Sequence, residues 1–426
     1  MHELSAFDAA AILIVLAAAL GYFNHQVLKL PSTVGLTVMG AVAALLVVAI
    51  DFMLPASRLA DQLSGFLSDI DFHTTLMEGM LSFLLFAGAL HVDWAHLRKG
   101  RWPILIFSTV GVVLSTLIVG FAFHFVTIAL SMEIPLMWCF VFGALISPTD
   151  PVAVMGVMKR AAVPETLQAT VAGESLFNDG VGVVVFTILL SIALGTEPFS
   201  ITLAASHFAQ EAIGGALLGL VTGWIAFHAM RSIDEYNIEV MISLAVVMGG
   251  YSIALWLHVS GPVAMAVAGL LIGNAGVAHA MSDLTQDYLI KFWALIDEIL
   301  NAVLFLLIGL EVIALAFDGQ LLIAGLAAIF VVMAARAISV GIPLLGMKRM
   351  IDMRPLAFPT LVWGGLRGGI SVALALSLPS SPIRTAILVA TYAVVLFAVI
   401  VQGGSIGSLI RRIKDRHAPD LPGIST

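Results

Sequence analysis

The sequence predicts an all-α protein that crosses a membrane many times. Of its 426 residues, 60% are hydrophobic and only 11% are charged, whereas a soluble domain carries about 25% charged residues. The mean hydropathy is +1.07, so a soluble protein could not cover its surface from this composition. Disordered chains are polar and are excluded for the same reason. A polytopic integral membrane protein remains.

The apolar stretches divide the chain into thirteen predicted spans. A membrane-spanning helix needs about 20 mostly apolar residues, and stretches of this kind, numbered spans 1 to 13, cover 7–24, 32–50, 74–91, 103–130, 136–158, 166–195, 205–229, 237–257, 261–281, 292–316, 320–346, 355–378 and 384–410.

The basic residues predict the orientation of these spans. Cytoplasmic loops collect Lys and Arg, and 15 of the 19 basic residues follow an odd-numbered span: Lys29, Arg98, Lys99, Arg101, Lys159, Arg160, Arg231, Lys291, Lys348, Arg349, Arg354, Arg411, Arg412, Lys414 and Arg416. Only Arg58 and Arg384 lie on the other side. We therefore expect the N-terminus outside and the C-terminus in the cytoplasm, which agrees with an odd number of spans.

The same composition limits the partners. The single cysteine, Cys139, excludes an intrachain disulfide, and the chain has no basic run of the kind that binds nucleic acid. The first apolar stretch has no Lys or Arg before it, which argues against a cleaved signal peptide. We expect the lipid bilayer as the surroundings and no cofactor.

The first polar element at membrane depth is Ser-Pro-Thr-Asp-Pro at 147–151, near the middle of span 5. Each proline lacks an N–H and clashes with the carbonyl four residues before it, so the helix is predicted to break here. Asp150 and the freed carbonyls would then meet at mid-membrane, where irregular backbone must be buried in protein or line a cavity. A plain proline kink capped by Asp150 is the alternative.

The second polar element is Gly-Glu-Ser-Leu-Phe-Asn-Asp-Gly at 173–180, in span 6. Ser175 and Asp179 share one helix face, and Glu174 and Asn178 share the adjacent one. Acidic side chains are expensive at this depth, which makes them candidates for function. A structural polar network between helices is the alternative.

Two arginines, Arg336 in span 11 and Arg367 in span 12, also lie near mid-membrane. Arg336 requires an anion, and Glu174 is the first candidate. Arg367 lies in Gly-Gly-Leu-Arg-Gly-Gly at 364–369, whose glycines disfavour a helix. Spans 5 and 12 are thus both predicted to be broken, as in transporters built from two inverted repeats around a midplane site. Spans 1–6 and 8–13 would be the repeats.

Other polar residues in span 10 leave two readings open. Asp297, Glu298 and Asn301 lie near its cytoplasmic end, and Glu311 lies near its outer end. A cavity-lining role and a packing role are equally compatible with these positions.

Taken together, the polar segments resemble the NhaP-type monovalent cation:proton antiporters, relatives of the eukaryotic sodium/proton exchangers. The similarity extends from about Leu84 to Leu376. It rests on the order and spacing of Ser-Pro-Thr-Asp-Pro-Val-Ala-Val at 147–154, Gly-Glu-Ser-Leu-Phe-Asn-Asp-Gly-Val at 173–181, Asn301 with Phe-Leu-Leu-Ile-Gly-Leu-Glu at 305–311, Ala335-Arg336, and Gly-Gly-Leu-Arg-Gly-Gly at 364–369.

The resemblance implies an electroneutral Na⁺(Li⁺)/H⁺ antiporter that works by alternating access. Asp179 resembles the carboxylate that binds either the cation or the proton, and Asn178 completes the Asn-Asp pair that accompanies electroneutral exchange. Asp150 and Thr149 resemble other members of the ion shell, with Ser175 as a further oxygen ligand. Oxygen atoms are the ligands that hard cations prefer. A sodium site formed by Asp179, Asp150, Thr149 and Ser175 follows.

The resemblance assigns supporting roles and domains as well. Glu174 and Arg336 resemble a structural ion pair, and Arg367 resembles an arginine of the glycine loop near the crossing helices. A homodimer is implied, with an interface domain, a mobile core and a short cytoplasmic tail. Their ranges would be 1–98 and 200–316 for the interface domain, 99–199 and 317–412 for the core, and 413–426 for the tail.

One departure leaves the preferred cation open. Several relatives carry a glutamate in the span 3 sequence Phe-Glu-Gly-Ala-Leu, where this chain has Ala87 in Phe-Ala-Gly-Ala-Leu at 86–90. Potassium/proton antiport is therefore the alternative to sodium/proton antiport. An antiporter of this kind is expected to serve pH homeostasis. The short tail and the lack of a recognisable targeting segment favour a bacterial or archaeal plasma membrane.

Two other classes are weighed against the antiporter. In an intramembrane aspartyl protease, Asp150 and Asp179 would share a proton, but such enzymes resemble one another in a Gly-x-Gly-Asp motif that neither residue has. A channel would have no use for mid-membrane Glu and Arg next to two broken helices. Both classes are disfavoured, and the chain is expected to be a transporter rather than an enzyme.

Overall fold

The computed structural model describes residues 6–54, 63, 65, 80–161, 163–196, 200–277, 280–314, 318–347 and 356–417. Within these ranges the regular secondary structure is helical, apart from one isolated bridge between Asp150 and Leu366. The predicted all-α class is confirmed for this part of the chain.

The α-helices follow one another along the whole described chain. They are α1 Ala6–Phe23, α2 Ser32–Met53, α3 Leu81–Leu90, α4 Trp94–Lys99, α5 Arg101–Ile106, α6 Val112–Ala129, α7 Leu136–Leu145, α8 Val152–Arg160, α9 Glu165–Ala193, α10 Ile201–Arg231, α11 Tyr236–Leu257, α12 Gly261–Leu271, α13 Asp283–Leu310, α14 Gly319–Gly346, α15 Ala357–Trp363, α16 Gly369–Leu376, α17 Pro382–Leu396 and α18 Gly404–His417. A π-helical turn, Phe107–Gly111, joins α5 to α6, and another, Phe397–Gly403, joins α17 to α18.

Eight helices of the described chain are long and apolar enough to cross a membrane: Phe7–Leu28, Ser32–Asp51, Arg101–Ala129, Glu165–Ala193, Ala205–Arg231, Tyr236–Leu257, Gly319–Gly346 and Pro382–Arg416. Large apolar side chains are exposed on these helices, among them Trp256 and Phe330, as expected where lipid replaces water. A multi-pass membrane protein is confirmed, whereas the count of thirteen spans stays a prediction.

Some residues used in the predictions lie outside the described ranges. They are the first part of span 3 (74–79), the basic residues Arg58, Lys348, Arg349 and Arg354, and the tail beyond 417.

Two of the predicted spans are each represented by a pair of short helices. In span 5, α7 ends at Leu145 and α8 begins at Val152; in span 12, α15 ends at Trp363 and α16 begins at Gly369. The two interruptions meet, because the Asp150 amide donates a hydrogen bond to the Leu366 carbonyl at 2.8 Å. Each interruption thereby supplies a backbone partner that the other lacks.

Helix α2 packs against α13 through two glycines. A Cβ atom at Gly40 would lie 2.8 Å from the Leu306 carbonyl oxygen, and one at Gly309 would lie 2.5 Å from the Thr37 carbonyl oxygen. Small residues let two backbones approach in this way, which favours helix association in lipid. The contact fixes α13 beside the second helix of the chain.

We predict that Gly40→Leu destabilises the protein by about 1–3 kcal/mol, because the new side chain must displace the α13 backbone. The free energy of unfolding in mild detergent measures the effect. Gly249→Leu is the matched control, since a Cβ atom there has no neighbour within 4 Å among the described residues. Equal stability of the two variants would contradict the packing argument.

Candidate functional site

Thr149, in the first interruption, is held by the amide of Asn178 on α9. Asn178 Oδ1 accepts from the Thr149 backbone N at 3.2 Å, and Asn178 Nδ2 donates to Thr149 Oγ1 at 2.7 Å. Ser175 Oγ donates to the Thr149 carbonyl. The structure thus brings these three predicted site residues together, and the amide of Asn178 serves as both acceptor and donor without carrying a charge.

Arg367 binds two backbone carbonyls of the first interruption. Its side chain is 2% exposed, and Nη1 donates to the carbonyls of Ser147 and Pro148, the latter at 3.0 Å. Pro151 has no N–H, so the Ser147 carbonyl has lost its helical partner. The guanidinium replaces that partner and also places a positive charge near the C-terminal end of α7, where it is favourable.

Arg336 and Glu174 form a buried ion pair with two hydrogen bonds, of 2.5 and 3.1 Å. Glu174 is 1% exposed. Arg336 Nε and Nη2 also donate to the Leu361 carbonyl, at 3.1 and 2.8 Å, close to the C-terminal end of α15. A Cβ atom at Gly365 would lie 2.5 Å from Arg336 Nε, so only glycine leaves room for the guanidinium there.

Asp150 lies at the opposite ends of the half-helices. It lies two residues before the start of α8, next to the N-cap residue Pro151, and a Cβ atom at Gly368, the N-cap residue of α16, would lie 2.7 Å from Asp150 Oδ2. The carboxylate therefore adjoins the N-termini of two helices, whose dipoles favour a negative charge. We call the place where the two interruptions (146–151 and 364–368) meet the crossing. At the crossing, the arginines lie near helix C-termini and this carboxylate lies near helix N-termini.

Asp179 is the carboxylate with an unsatisfied oxygen. It lies one helical turn beyond Ser175 on α9, is 7% exposed, and its Oδ1 has no hydrogen-bond partner among the described residues. Leaving a buried polar atom without a partner costs about 1–3 kcal/mol, more for a charged group. A cation or a proton at Asp179 would remove this cost, so the site fits such a ligand.

A cavity of about 610 Å³ leads from the surface to this site. Its rim includes the exposed residues Asp93, Lys159 and Glu165, and it also reaches the buried residues Asp179 and Ser371. The charged residues that line it, within the described chain, are Asp93, Asp150, Lys159, Glu165, Asp179 and Asp297. A wall with this excess of carboxylates attracts cations and repels anions.

The cavity separates the two readings left open for span 10. Asp297 and Asn301 line it, and Asn301 Nδ2 donates to Asp297 Oδ1 at 3.0 Å. Glu298 and Glu311 are not among the described residues that line the cavity. A cavity-lining role therefore holds for the first pair only.

The sequence did not point to several residues of the cavity wall. Asp93, Glu165 and Ser371 line the cavity, although none belongs to a predicted site. Ser371 follows the predicted break at 364–369, and this proximity is the one signal that could have found it. Ala87 is fully buried in α3 and does not line the part of the cavity that the structure describes.

We predict that Glu174→Gln lowers the free energy of unfolding by about 3–5 kcal/mol, because it leaves the Arg336 charge buried without its counter-ion. Denaturant titration in detergent measures the loss. Glu298→Gln makes the same chemical change on α13 outside the pair, and we expect it to be close to neutral. Similar losses for both variants would refute a structural role of the pair.

Comparison with known proteins assigns almost the whole chain to one family. The family model described as "Sodium/hydrogen exchanger, transmembrane" matches residues 12–412. The Na⁺/H⁺ antiporter NhaP of Pseudomonas aeruginosa is 46% identical over 410 residues, 95% of this chain and 96% of that protein. The Na⁺/H⁺ antiporter NhaH of Halobacillus dabanensis is 34% identical over 415 residues, 94% of this chain and 97% of that protein.

A solved structure supports the fold. The sodium proton antiporter MjNhaP1 from Methanocaldococcus jannaschii at pH 8 matches with a TM-score of 0.75 at 20% identity, covering 96% of this chain and 98% of that one. The family itself follows from the sequence match, which extends well beyond the polar motifs, and the resemblance stated from those motifs is confirmed. The chain belongs to the sodium/hydrogen exchanger family.

Proposed function

We propose that the protein exchanges Na⁺ or Li⁺ for H⁺, one for one and without net charge movement. The observation that carries the proposal is Asp179, a buried carboxylate with an unsatisfied oxygen on the wall of an acidic cavity. Relatives 46% and 34% identical bear the name Na⁺/H⁺ antiporter, which favours sodium over potassium. A member of this family is a secondary transporter and not an enzyme.

The charges at the crossing support an electroneutral exchange. Arg336 is committed to Glu174 and to a backbone carbonyl, and Arg367 is committed to the carbonyls of the first interruption. Among the described residues of the crossing, these two cations face the three carboxylates Glu174, Asp150 and Asp179. One negative charge is left over, and one Na⁺ or one proton neutralises it.

Asn178 contributes to the same balance. Its amide holds Thr149 without adding a charge next to Asp179. An aspartate at this position would leave two charges for each cation to neutralise. The proposed sodium site comprises Asp179 and Asp150 with oxygens of Thr149 and Ser175, and the cation and the proton compete for Asp179.

The cavity wall agrees with alternating access between two domains. Part of the wall comes from α3 and α13, inside the proposed interface domain (1–98 and 200–316), and the rest comes mainly from α8, α9 and α16, inside the proposed core (99–199 and 317–412). A movement of the core against the interface domain would close this cavity and open another on the opposite side.

The predicted orientation makes the cavity an inward-facing one. Lys159 lies at its rim and follows span 5, so the positive-inside rule places it in the cytoplasm. The proposed topology keeps the N-terminus outside, thirteen spans in two inverted repeats, the crossing of spans 5 and 12, and a homodimer. In a plasma membrane this exchange would serve pH homeostasis.

We predict that Asp179→Asn abolishes cation-driven proton flux, because a neutral amide neither takes up the proton nor neutralises the cation. Proteoliposomes with an acidic interior receive Na⁺, Li⁺ or K⁺ outside, with the membrane potential clamped or free. Asp287→Asn, at an exposed residue paired with Lys291, is the control and keeps the flux.

Three results would overturn parts of the proposal. Near-normal flux in Asp179→Asn refutes the role of this carboxylate. Exchange with K⁺ alone refutes sodium as the substrate. A flux that changes with the clamp refutes electroneutral exchange, and cation flux without proton coupling identifies a channel.

We predict that Asp297→Asn raises the KM for Na⁺ about three- to tenfold, with the maximal rate little changed. Leu304 on α13 lies next to Gly369 at the crossing. Asp297 lies seven residues before Leu304 on the same helix, so it is about 10 Å from the crossing along the helix axis. A carboxylate at this distance attracts an incoming cation. Glu298→Gln is the control, and an equal KM in both variants would contradict the prediction.

A further inference from the structure

Ser371 is a buried hydroxyl without a partner. It lies in the first turn of α16, is 1% exposed, and its Oγ makes no hydrogen bond to any described residue. Buried polar atoms are nearly always hydrogen-bonded, so each exception requires an explanation. The residue also lines the 610 Å³ cavity, which makes a ligand that enters through this cavity the natural explanation.

The position of Ser371 on α16 places it next to the site. At Gly368, three residues earlier, an added Cβ atom would lie 2.7 Å from Asp150 Oδ2, so the Asp150 carboxylate lies close to this residue. Residues three apart lie on the same helix face, so Ser371 is one turn away on the face that meets Asp150. The unsatisfied Oδ1 of Asp179 belongs to the same cavity wall.

Other unsatisfied hydroxyls do not share this location. Thr33, Ser115, Thr360 and Tyr392 also have buried oxygens without a partner in the described chain, yet none of them lines the cavity. Among these five hydroxyl residues, Ser371 alone combines a missing partner with a place in the wall of the cavity. The missing hydrogen bond of Ser371 therefore differs from the other four, because it occurs at the wall of the cavity.

We propose that Ser371 Oγ is a ligand of the transported cation, supplied by the second broken helix to a shell that includes Asp179 and Asp150. The proposal rests on the cation exchange proposed above and adds a residue to its site. Thr149 and Ser175 already bond to each other, and Thr149 also accepts from Asn178, so α16 supplies an oxygen that has no hydrogen-bond partner among the described residues.

A serine suits this position because it adds a ligand without adding a charge. A further carboxylate would leave a charge that one Na⁺ could not neutralise, whereas a hydroxyl leaves the one-for-one balance unchanged. It also draws the start of α16 towards the cation, so both broken helices, and not only the first, contact the transported ion.

The test compares Ser371→Ala and Ser371→Cys with Ser377→Ala in the full-length protein. Cys keeps the volume but replaces a hard oxygen by sulfur, a poor ligand for Na⁺. Ser377 lies at the end of the same helix, donates to the Leu374 carbonyl at 2.8 Å, and is outside the cavity lining of the described chain.

We expect both Ser371 variants to raise the KM for Na⁺ about tenfold with a maximal rate within about twofold of the original, as for the loss of one contact to a charged group. Sodium should also stabilise these variants less against thermal unfolding in detergent, at equal ionic strength. Ser377→Ala should match the unmodified protein in both measurements.

An unchanged KM and unchanged stabilisation by sodium in Ser371→Cys would overturn the proposal. A lower maximal rate at unchanged KM would overturn it too, since that result belongs to a structural role. Absence of sodium-driven proton flux in the unmodified protein would instead refute the proposed exchange itself, which keeps the two failures distinct.

Discussion

The constraint that organises this protein is the presence of unpaired backbone groups at membrane depth, where no lipid group can satisfy them. Two interrupted helices place such groups side by side. Each interruption supplies hydrogen-bond partners to the other. The Asp150 amide donates to the Leu366 carbonyl, and Arg367 donates to the carbonyls of Ser147 and Pro148. Arg336 serves the Leu361 carbonyl as well as Glu174. The buried arginines are therefore required by the backbone as much as by the acids.

This use of the arginines determines the charge that remains for function. Arg336 makes four side-chain hydrogen bonds and Arg367 makes two, so both guanidinium groups are held at the crossing. The carboxylates then outnumber them by one in the described crossing. In the proposed exchange, this one remaining negative charge is the charge that the bound cation or proton compensates.

The sequence predicted the elements that contain residue types whose presence inside a membrane-spanning helix is energetically unfavourable. Proline and glycine located both interruptions, and buried charge located Glu174 and Arg336. The sequence did not identify Ser371 as a site residue, because a serine in a helix usually bonds to the backbone of its own helix and gives no signal of function. The roles of Ser175 and Asn178 in holding Thr149 also depend on contacts between distant parts of the chain, which spacing along α9 does not reveal.

The surroundings of the two aspartates explain why they are not equivalent. Asp150 adjoins the N-termini of α8 and α16, and the dipoles of these helices favour a negative charge there. Asp179 lies within α9, a continuous helix of 29 residues (Glu165–Ala193), so it is remote from both helix ends and their dipoles. In the proposed exchange, the break in span 5 therefore places Asp150 beside two helix N-termini, whereas the continuous helix α9 presents Asp179 to whichever cation or proton the cavity supplies.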